Sequence, residues 1–399
     1  MLQRCISFLS KNQILIHGIW AIPCVLIIRL IGPFKCVRFC EIRSERIGHF
    51  VADIAEHICR NYENNMKYID FFYFKKISNL QWEKMAKRSP LKICNSWVQY
   101  IDRWNKKIPG GKYHSIPSSF TLSRDSQGLI SKYDCKLDFL PEEQKICENW
   151  LINRGWTPGE PFVVFLIRDT AFQDQFLPKS RNWDYHNYRN SEIKTYIPAM
   201  NWLTQQGVWV LRMGKVAKNP LNINNKFIID YATNQDGSDL LDIWLFANSN
   251  AIISTGSGLD YLGGIYRVPI LLINYLPLNH LFSFFAGICV PKKLFWKNNG
   301  IKLSISQMLS HSFLRSEDYL NKEIEIQDLN ENEIMSNIVA FWSIFGIGEK
   351  LSDKFLQANF KFWEILEKDA AYLSLNFYRH PNSFISDLWL EEIGYNNLK

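Results

Sequence analysis

Residues 250–264 read "NAIISTGSGLDYLGG". The run from Ala251 to Ser254 is apolar and β-branched, the text from Ser257 to Arg267 has helical texture, and a Gly-Ser-Gly turn joins them. A strand that delivers a glycine turn onto a helix start favours an anion. The first N–H groups of a helix lack intrahelical acceptors, and the aligned peptide dipoles add partial positive charge there. Gly256 and Gly258 permit positive φ and close backbone approach, while the hydroxyls of Thr255 and Ser257 either cap the helix or donate to a phosphate. The turn is not a Walker loop, because no Gly-Lys-Ser/Thr follows it. It also fits the dinucleotide fingerprint poorly. The next glycine is Gly263, and no Asp or Glu occurs between Asp260 and Glu317, so the carboxylate expected about 20 residues downstream to hold a ribose is missing. An ordinary turn capped by Ser257 is the structural alternative.

The text on either side repeats strand, loop and helix. "FVVFLIRD", "VWVLRMG", "KFIIDYA" and "VPILLIN" read as strands, and "EIKTYIPAMNWLTQQG" and "SDLLDIWLFANS" as helices, which predicts a doubly wound parallel sheet over residues 160–305. Upstream, "CVRFCEI", "HFVADIAEHICRNY" and "KYIDFFYF" give strand, helix and strand of a second Rossmann-like unit over 35–155. The punctuation "GWTPGEP" places the boundary between them. Residues 306–399 read as a helical carboxy-terminal segment that braces the domains or makes an oligomer contact. Two domains also suit 399 residues with 47% apolar and 21% charged content.

The formal charge of +7 points to an anionic partner without choosing among nucleotide, nucleic acid and acidic lipid. A basic, Trp-containing stretch from Gln81 to Lys112 permits nucleic acid, but no recognised module supports it. Nine scattered cysteines with no Cys-x-x-Cys pair indicate a reduced compartment, with neither a disulfide framework nor a zinc site. No His-x-x-x-His, His-Glu-x-x-His or Asp-x-Asp spacing occurs, so no protein-held metal is expected. Residues 1–34 carry the apolar stretch Ile14–Phe34, interrupted by His17, Pro23 and Arg29 and bordered by Arg4, Lys11, Lys35 and Arg38. It reads either as a helix lying on an anionic cytoplasmic leaflet or as a first helix buried against the domain.

In a doubly wound sheet ligands bind beyond the carboxyl ends of the strands, so loops after strands are the candidate sites. One is "RSERIGH", with Arg46, Gly48 and His49; the imidazole is a candidate general base at neutral pH. "RDTAF" offers Arg168 and Asp169, and "RMG" offers Arg212 and Gly214. Guanidiniums at strand ends pair with either a carboxylate or a phosphate; for Arg168 the carboxylate alternatives are Asp174 and Asp184. Tyr188, Arg189 and Asn190 in "DYHNYRN" add a cluster of donors, or form a solvated loop. The fourth loop is the turn Thr255, Gly256, Ser257 and Gly258.

Taken in order, "SERIGHF", "RDTAF", "DYHNYRNSEIKTYIPAMNWL", "VWVLRMG", "IIDYA", "SDLLDIWLFANSNAIISTGSGL" and "YRVPILLIN" resemble a bacterial family of glycosyltransferases associated with surface polysaccharide synthesis. The resemblance covers most of the chain. It implies an α/β fold of GT-B type, with two doubly wound Rossmann-like domains facing across a cleft and a helical carboxy-terminal extension. It further implies an enzyme moving a sugar from a nucleotide-sugar donor to a surface polysaccharide or lipid-linked glycan acceptor; with the residue readings above, the expectation is a metal-independent enzyme with no cofactor, peripheral to the cytoplasmic face of the inner membrane. Carried onto this sequence, donor binding falls to Arg168, Tyr188, Arg189, Asn190, Arg212, Gly214, Thr255, Gly256, Ser257 and Gly258. Arg46 and Gly48 fall on the acceptor-side loop, and His49, then Asp169, are the catalytic candidates. The alternative from another class is a catalytically inactive GT-B-like glycan-binding or scaffolding module at the membrane.

Overall fold

The computed structural model describes residues 2–63, 68–176, 184–375 and 378–393, with side chains from Ile16 onward. The chain forms two compact α/β units. The first takes in residues 1–123 and 133–138, and the second residues 124–132 and 139–399. The division therefore falls some way before "GWTPGEP". Pro141–Ile152 is a helix of the second unit, where Trp244 Nε1 donates to Gln144 Oε1 at 2.7 Å. The Pro and Gly residues that suggested a boundary there turn the chain from that helix into the next strand.

The first unit is built on three parallel strands in the order β1 (Cys36–Glu41), β2 (Tyr68–Tyr73) and β3 (Lys92–Ile93). Helix α1 (Leu2–Ile31) precedes them, α2 (Ile47–Glu63) crosses from β1 to β2, and α3 (Leu80–Arg88) and α4 (Val98–Asn105) follow. Ala21 and Val25 of α1 lie in one apolar cluster with Val37, Phe39, Tyr73, Val98 and Ile101. This is the packing that the buried-helix reading anticipates. No helix among the described residues is long and apolar enough to cross a membrane.

The second unit carries seven strands: β4 (Phe162–Leu166), β5 (Trp209–Arg212), β6 (Ile228–Asp230), β7 (Ala251–Ser254), β8 (Ile270–Tyr275), β9 (Gly287–Pro291) and, after the separate antiparallel pair β10 (Lys293–Trp296) and β11 (Ile324–Gln327), β12 (Ser383–Ile385). Their order is β12-β9-β8-β7-β4-β5-β6, with every pairing parallel. Every residue of β4, β5, β7, β8 and β9 is buried, which explains why these strands read as continuous apolar runs rather than alternating ones.

The carboxy-terminal region is not purely helical, contrary to the reading of residues 306–399. It supplies β11 and the sheet's edge strand β12, too short to register as a strand in the sequence. Asn359, from the helix Asp353–Leu366, caps that edge: its Oδ1 accepts the Ile385 N–H at 2.7 Å and its Nδ2 donates to the Ile385 carbonyl at 3.1 Å. An edge covered in this way cannot template another strand.

The helix after β7, Asp260–Tyr266, lies close enough to its neighbours to require small residues. A Cβ at Gly264 would stand 2.0 Å from the Phe285 ring, which itself packs on Phe284 and Tyr261. Gly264→Ala is therefore expected to overpack this contact and lower stability by roughly 1–3 kcal/mol, read as a shift of the urea midpoint. An unchanged midpoint would show that the Phe285 ring yields.

Candidate functional site

The chain leaves β4 toward β5 and β6 on one side of the sheet and leaves β7 toward β8 and β9 on the other. The carboxyl ends of these two neighbouring strands are therefore the topological switch point, the place where open α/β sheets bind ligands. The loops that leave it are those carrying Arg168 and the glycine turn, and they are joined directly: the Arg168 N–H donates to Thr255 Oγ1 at 3.0 Å.

Gly256 has φ +90°, and a Cβ there would stand 2.7 Å from the Tyr275 ring. Tyr275 is held in place by its hydroxyl, which donates to the His280 carbonyl at 2.8 Å. Only glycine fits, so the turn meets any ligand at this point through backbone. Ser254 Oγ accepts the Gly256 N–H at 3.1 Å and donates to Asp260 Oδ2 at 3.0 Å, and the Ser257 N–H donates to the same carboxylate oxygen at 2.6 Å. The Ser257 amide is thus spent inside the turn, whereas the Gly258 N–H has no acceptor among the described residues. Asp260 is fully buried, and burial pushes its pKa up to about 7 against the pull of the Ser257 and Ser254 donors. Its Oδ1 has no hydrogen-bond partner among the described residues.

Arg168 and Arg189 face this turn. Arg189 Nη2 donates to the Gly256 carbonyl, and Arg168 Nε donates to Asn190 Oδ1 at 3.2 Å. Neither guanidinium has a carboxylate partner among the described residues, so the Asp174 and Asp184 alternatives for Arg168 do not apply. Burial and the neighbouring Arg189 charge together lower the Arg168 pKa to about 10. Tyr188 is buried, its ring against Tyr319. Burial raises its phenol pKa, while Arg189 and Arg168 pull it down.

Sequence reasoning missed what holds this segment. Lys292, 2% exposed, donates to the Asn190 carbonyl and to Asp328 Oδ1, both at 2.6 Å. Asp328 Oδ2 accepts from Ser191 Oγ at 2.8 Å, and Asn274 Nδ2 donates to the same hydroxyl oxygen at 3.0 Å. Lys292 follows β9 and Asp328 follows β11, both distant in sequence from "YRN".

Arg212 and Asp169 are arranged differently from the expectation. Arg212 is 2% exposed; its Nη1 donates to the Asn219 carbonyl at 2.6 Å and lies 3.4 Å from Asp230 Oδ2, and its Nη2 is 3.8 Å from Asp169 Oδ2. The Asp169 carboxylate also accepts the N–H groups of Ala171 and Lys218, each at 2.9 Å. These residues staple the loops after β4 and β5 to one another. Gly214, at φ +150°, packs against Ala232 in the same staple. A strand-end arginine can end on a carboxylate or a phosphate, and Arg212 ends on carboxylates.

In the first unit, His49 lies in the first turn of α2, beside Gly48 and after the exposed Arg46. Its Nδ1 is 3.3 Å from Ser123 Oγ, which is 3.3 Å from Asp53 Oδ1 and accepts from Arg43 Nη2 at 2.8 Å. Arg43 pairs with both oxygens of the buried Asp53, at 2.9 and 2.6 Å. With the Ser123 proton directed to Asp53, His49 Nδ1 donates to Ser123 and Nε2 keeps its lone pair. Burial, with Arg43 and Arg46, lowers the His49 pKa, so the imidazole is neutral at physiological pH and able to accept a proton. For Asp53 burial outweighs Arg43 and raises the pKa to about 6.

No family model matches the sequence, and no curated protein matches it. Among solved structures, the chain is similar to the E. coli ADP-heptose lps heptosyltransferase II at 12% identity and TM-score 0.36, covering 64% of this chain and 85% of that one. It is similar to the glycosyl transferase family 9 protein from Veillonella parvula DSM 2008 at 10% identity and TM-score 0.39, covering 62% and 82%. The wall teichoic acid polymerase TagF gives 12% identity and TM-score 0.26 over 84% and 88%. The α/β fold stands on the strand order itself.

The Asp260 carboxyl makes stability depend on pH. It ionises near 3.8 in the unfolded chain and at about 7 in the fold, so the native state holds its proton more firmly. That contribution is complete below the unfolded value and is lost as pH rises through about 7. Asp260→Asn carries no such proton and is expected to remove this component, so that wild-type and variant stabilities diverge between pH 4 and 7, on the order of 1–4 kcal/mol over the range. Thermal melts of both proteins across a pH series measure it, and parallel curves would exclude Asp260 as the source.

Proposed function

We propose that the chain is a metal-independent glycosyltransferase that moves a sugar from a nucleotide-sugar to a surface polysaccharide or lipid-linked glycan acceptor. The observation that carries this reading is the pair Arg168 and Arg189, two half-buried guanidiniums without a carboxylate, at the switch point of a doubly wound sheet and beside a glycine turn. Like charges held together in a partly desolvated place repel unless an anion joins them, and a diphosphate supplies that anion. Glycosyl transfer from such a donor requires stabilising the charge that develops on the leaving diphosphate, and preorganised guanidiniums do this without a metal. The Gly258 amide adds a donor, while Ser257 contributes through its place in the turn rather than through its N–H. Thr255 and Asn190 position Arg168 by one hydrogen bond each.

Removal of the acceptor hydroxyl's proton falls to His49, whose Nε2 is left available by the Ser123 and Asp53 contacts. Asp169 is engaged elsewhere, its carboxylate accepting two backbone N–H groups and facing Arg212.

Arg189→Ala and Arg168→Ala are each expected to weaken nucleoside diphosphate binding on the order of ten- to a hundredfold, the worth of one charge-assisted hydrogen bond, in calorimetric titration. Arg212→Ala is the contrast. It strips Asp169 and Asp230 of their cation and is expected to cost roughly 2–3 kcal/mol of stability, less than for a fully buried pair because both carboxylates are partly exposed. Diphosphate affinity that ignores both Arg168 and Arg189 overturns the donor site.

For His49→Ala the expectation is a loss of turnover by a factor of about 10²–10⁴ with donor affinity preserved. The assay is a screen of nucleotide-sugars followed by product analysis with the active donor. Full turnover by the variant removes His49 from the mechanism, and donor binding with no transfer to any acceptor by the wild type favours the binding-module alternative.

A further inference from the structure

Helix α1 is apolar on two faces. Its inner face enters the core of the first unit through Ala21 and Val25, with Gly18 pressed so close to Trp104 that a Cβ would stand 2.7 Å from the indole. Toward α4, His17 stacks on Tyr100 at 3.7 Å between centroids. Arg29, the one charged residue between positions 16 and 34, turns back to donate to Asn105 Oδ1 and the Gly110 carbonyl at 2.8 and 2.7 Å. The exposed positions are 16, 19, 20, 23, 26, 27, 30 and 31, then 33 and 34 just beyond the helix. They follow the three-and-four spacing of one helical stripe, and every one is apolar. Ile19 is 79% exposed, Leu30 75% and Phe34 90%.

We infer that this stripe docks the first unit in the plane of an anionic lipid bilayer. A soluble surface rarely leaves so long an apolar strip uncovered, and the inner face of α1 is already committed to the core, so the helix is set to lie on a membrane rather than cross it. Charge selects the occupant. The first 40 residues contain five basic residues and no acidic one, and of the five Arg38 is paired with Asp70. Exposed Lys107, Lys112 and Tyr113 come from the segment that Arg29 ties to α1, and Cys36 Sγ donates to the Tyr113 carbonyl at 3.6 Å. Exposed lysines and an exposed tyrosine on a segment tied to an apolar strip match the headgroup layer of an acidic leaflet. A second copy of the chain packed on the same stripe by a two-fold axis would set these cations near their own counterparts, and like charge opposes that arrangement.

The inference rests on the first unit alone and does not depend on the donor reading. The test is co-sedimentation of the full chain with phosphatidylglycerol/phosphatidylcholine vesicles and with phosphatidylcholine alone, together with light scattering of the free protein. Binding is expected to the anionic vesicles and to weaken as salt is raised. The double variant Ile27→Glu, Leu30→Glu alters only exposed positions, is expected to keep the wild-type thermal midpoint, and should lose at least about tenfold in vesicle affinity. Lys107→Ala with Lys112→Ala should lose roughly twentyfold on anionic vesicles. Failure of the wild type to bind anionic vesicles overturns the proposal. So does binding indifferent to the glutamates, or a dimer that the glutamate pair dissociates. Diphosphate titration of the glutamate variant reads the donor site separately.

Discussion

Two guanidiniums set the terms for the second unit. Arg168 is lowered in pKa by burial and by the neighbouring Arg189 charge, and neither guanidinium meets a carboxylate among the described residues. Holding them there is unfavourable by itself, so the surrounding structure must fix both against their repulsion. The Gly256 carbonyl takes one Arg189 N–H and Asn190 Oδ1 takes Arg168 Nε, which satisfies donors without neutralising charge. Carbonyl and amide oxygens orient a guanidinium and leave its positive field intact. A carboxylate in either place would have produced the closed staple that Arg212 forms with Asp169 and Asp230.

The restraint reaches further back through Asn190. Buried Lys292 pairs with the part-exposed Asp328, and their pairing is made worthwhile by what it orients: the Lys292 ammonium also holds the Asn190 carbonyl, and Asp328 also holds Ser191. Burial lowers the Lys292 pKa and Asp328 opposes the shift, so the ammonium is kept charged by its partner. Pairs of this kind contribute little net stability, because desolvation offsets the attraction. Their contribution here is geometric, fixing the loop that carries Arg189.

The fold was largely legible because burial on both faces gives parallel strands an unmistakable text: "FVVFL" and "ILLINY" need no partner to be recognised. The three-residue β12 was not, since its place in the sheet comes from Asn359 and β9 rather than from its own composition. Among the site residues, position at a strand end drew attention to Arg168 and Arg212 alike and could not separate them. Their difference lies in whether an acid from another loop arrives, and Asp230 arrives at Arg212 from a neighbouring strand. Asp53, Ser123, Asp260 and Lys292 were missed for the same reason. Each acts by meeting a group that tertiary structure alone brings near, although Asp260, three residues past Ser257, had a visible signal as an acid in a helix's first turn.

Asp260 also qualifies what the glycine turn can do. The Ser257 N–H, one of the donors that a helix start would present to a phosphate, is already given to a carboxylate that sits behind the turn. That carboxylate ionises at about 7, so near neutrality the turn alternates between a form with a buried negative charge behind it and one without. Arg189 is the charge that favours ionisation there, and an anion seated on Arg189 cancels that influence. The proton on Asp260 is then held more firmly, and by linkage the protonated form binds the anion more tightly. On the donor reading proposed above, the same buried acid that shapes the turn would couple anion binding to proton uptake, through a residue that need not touch the ligand.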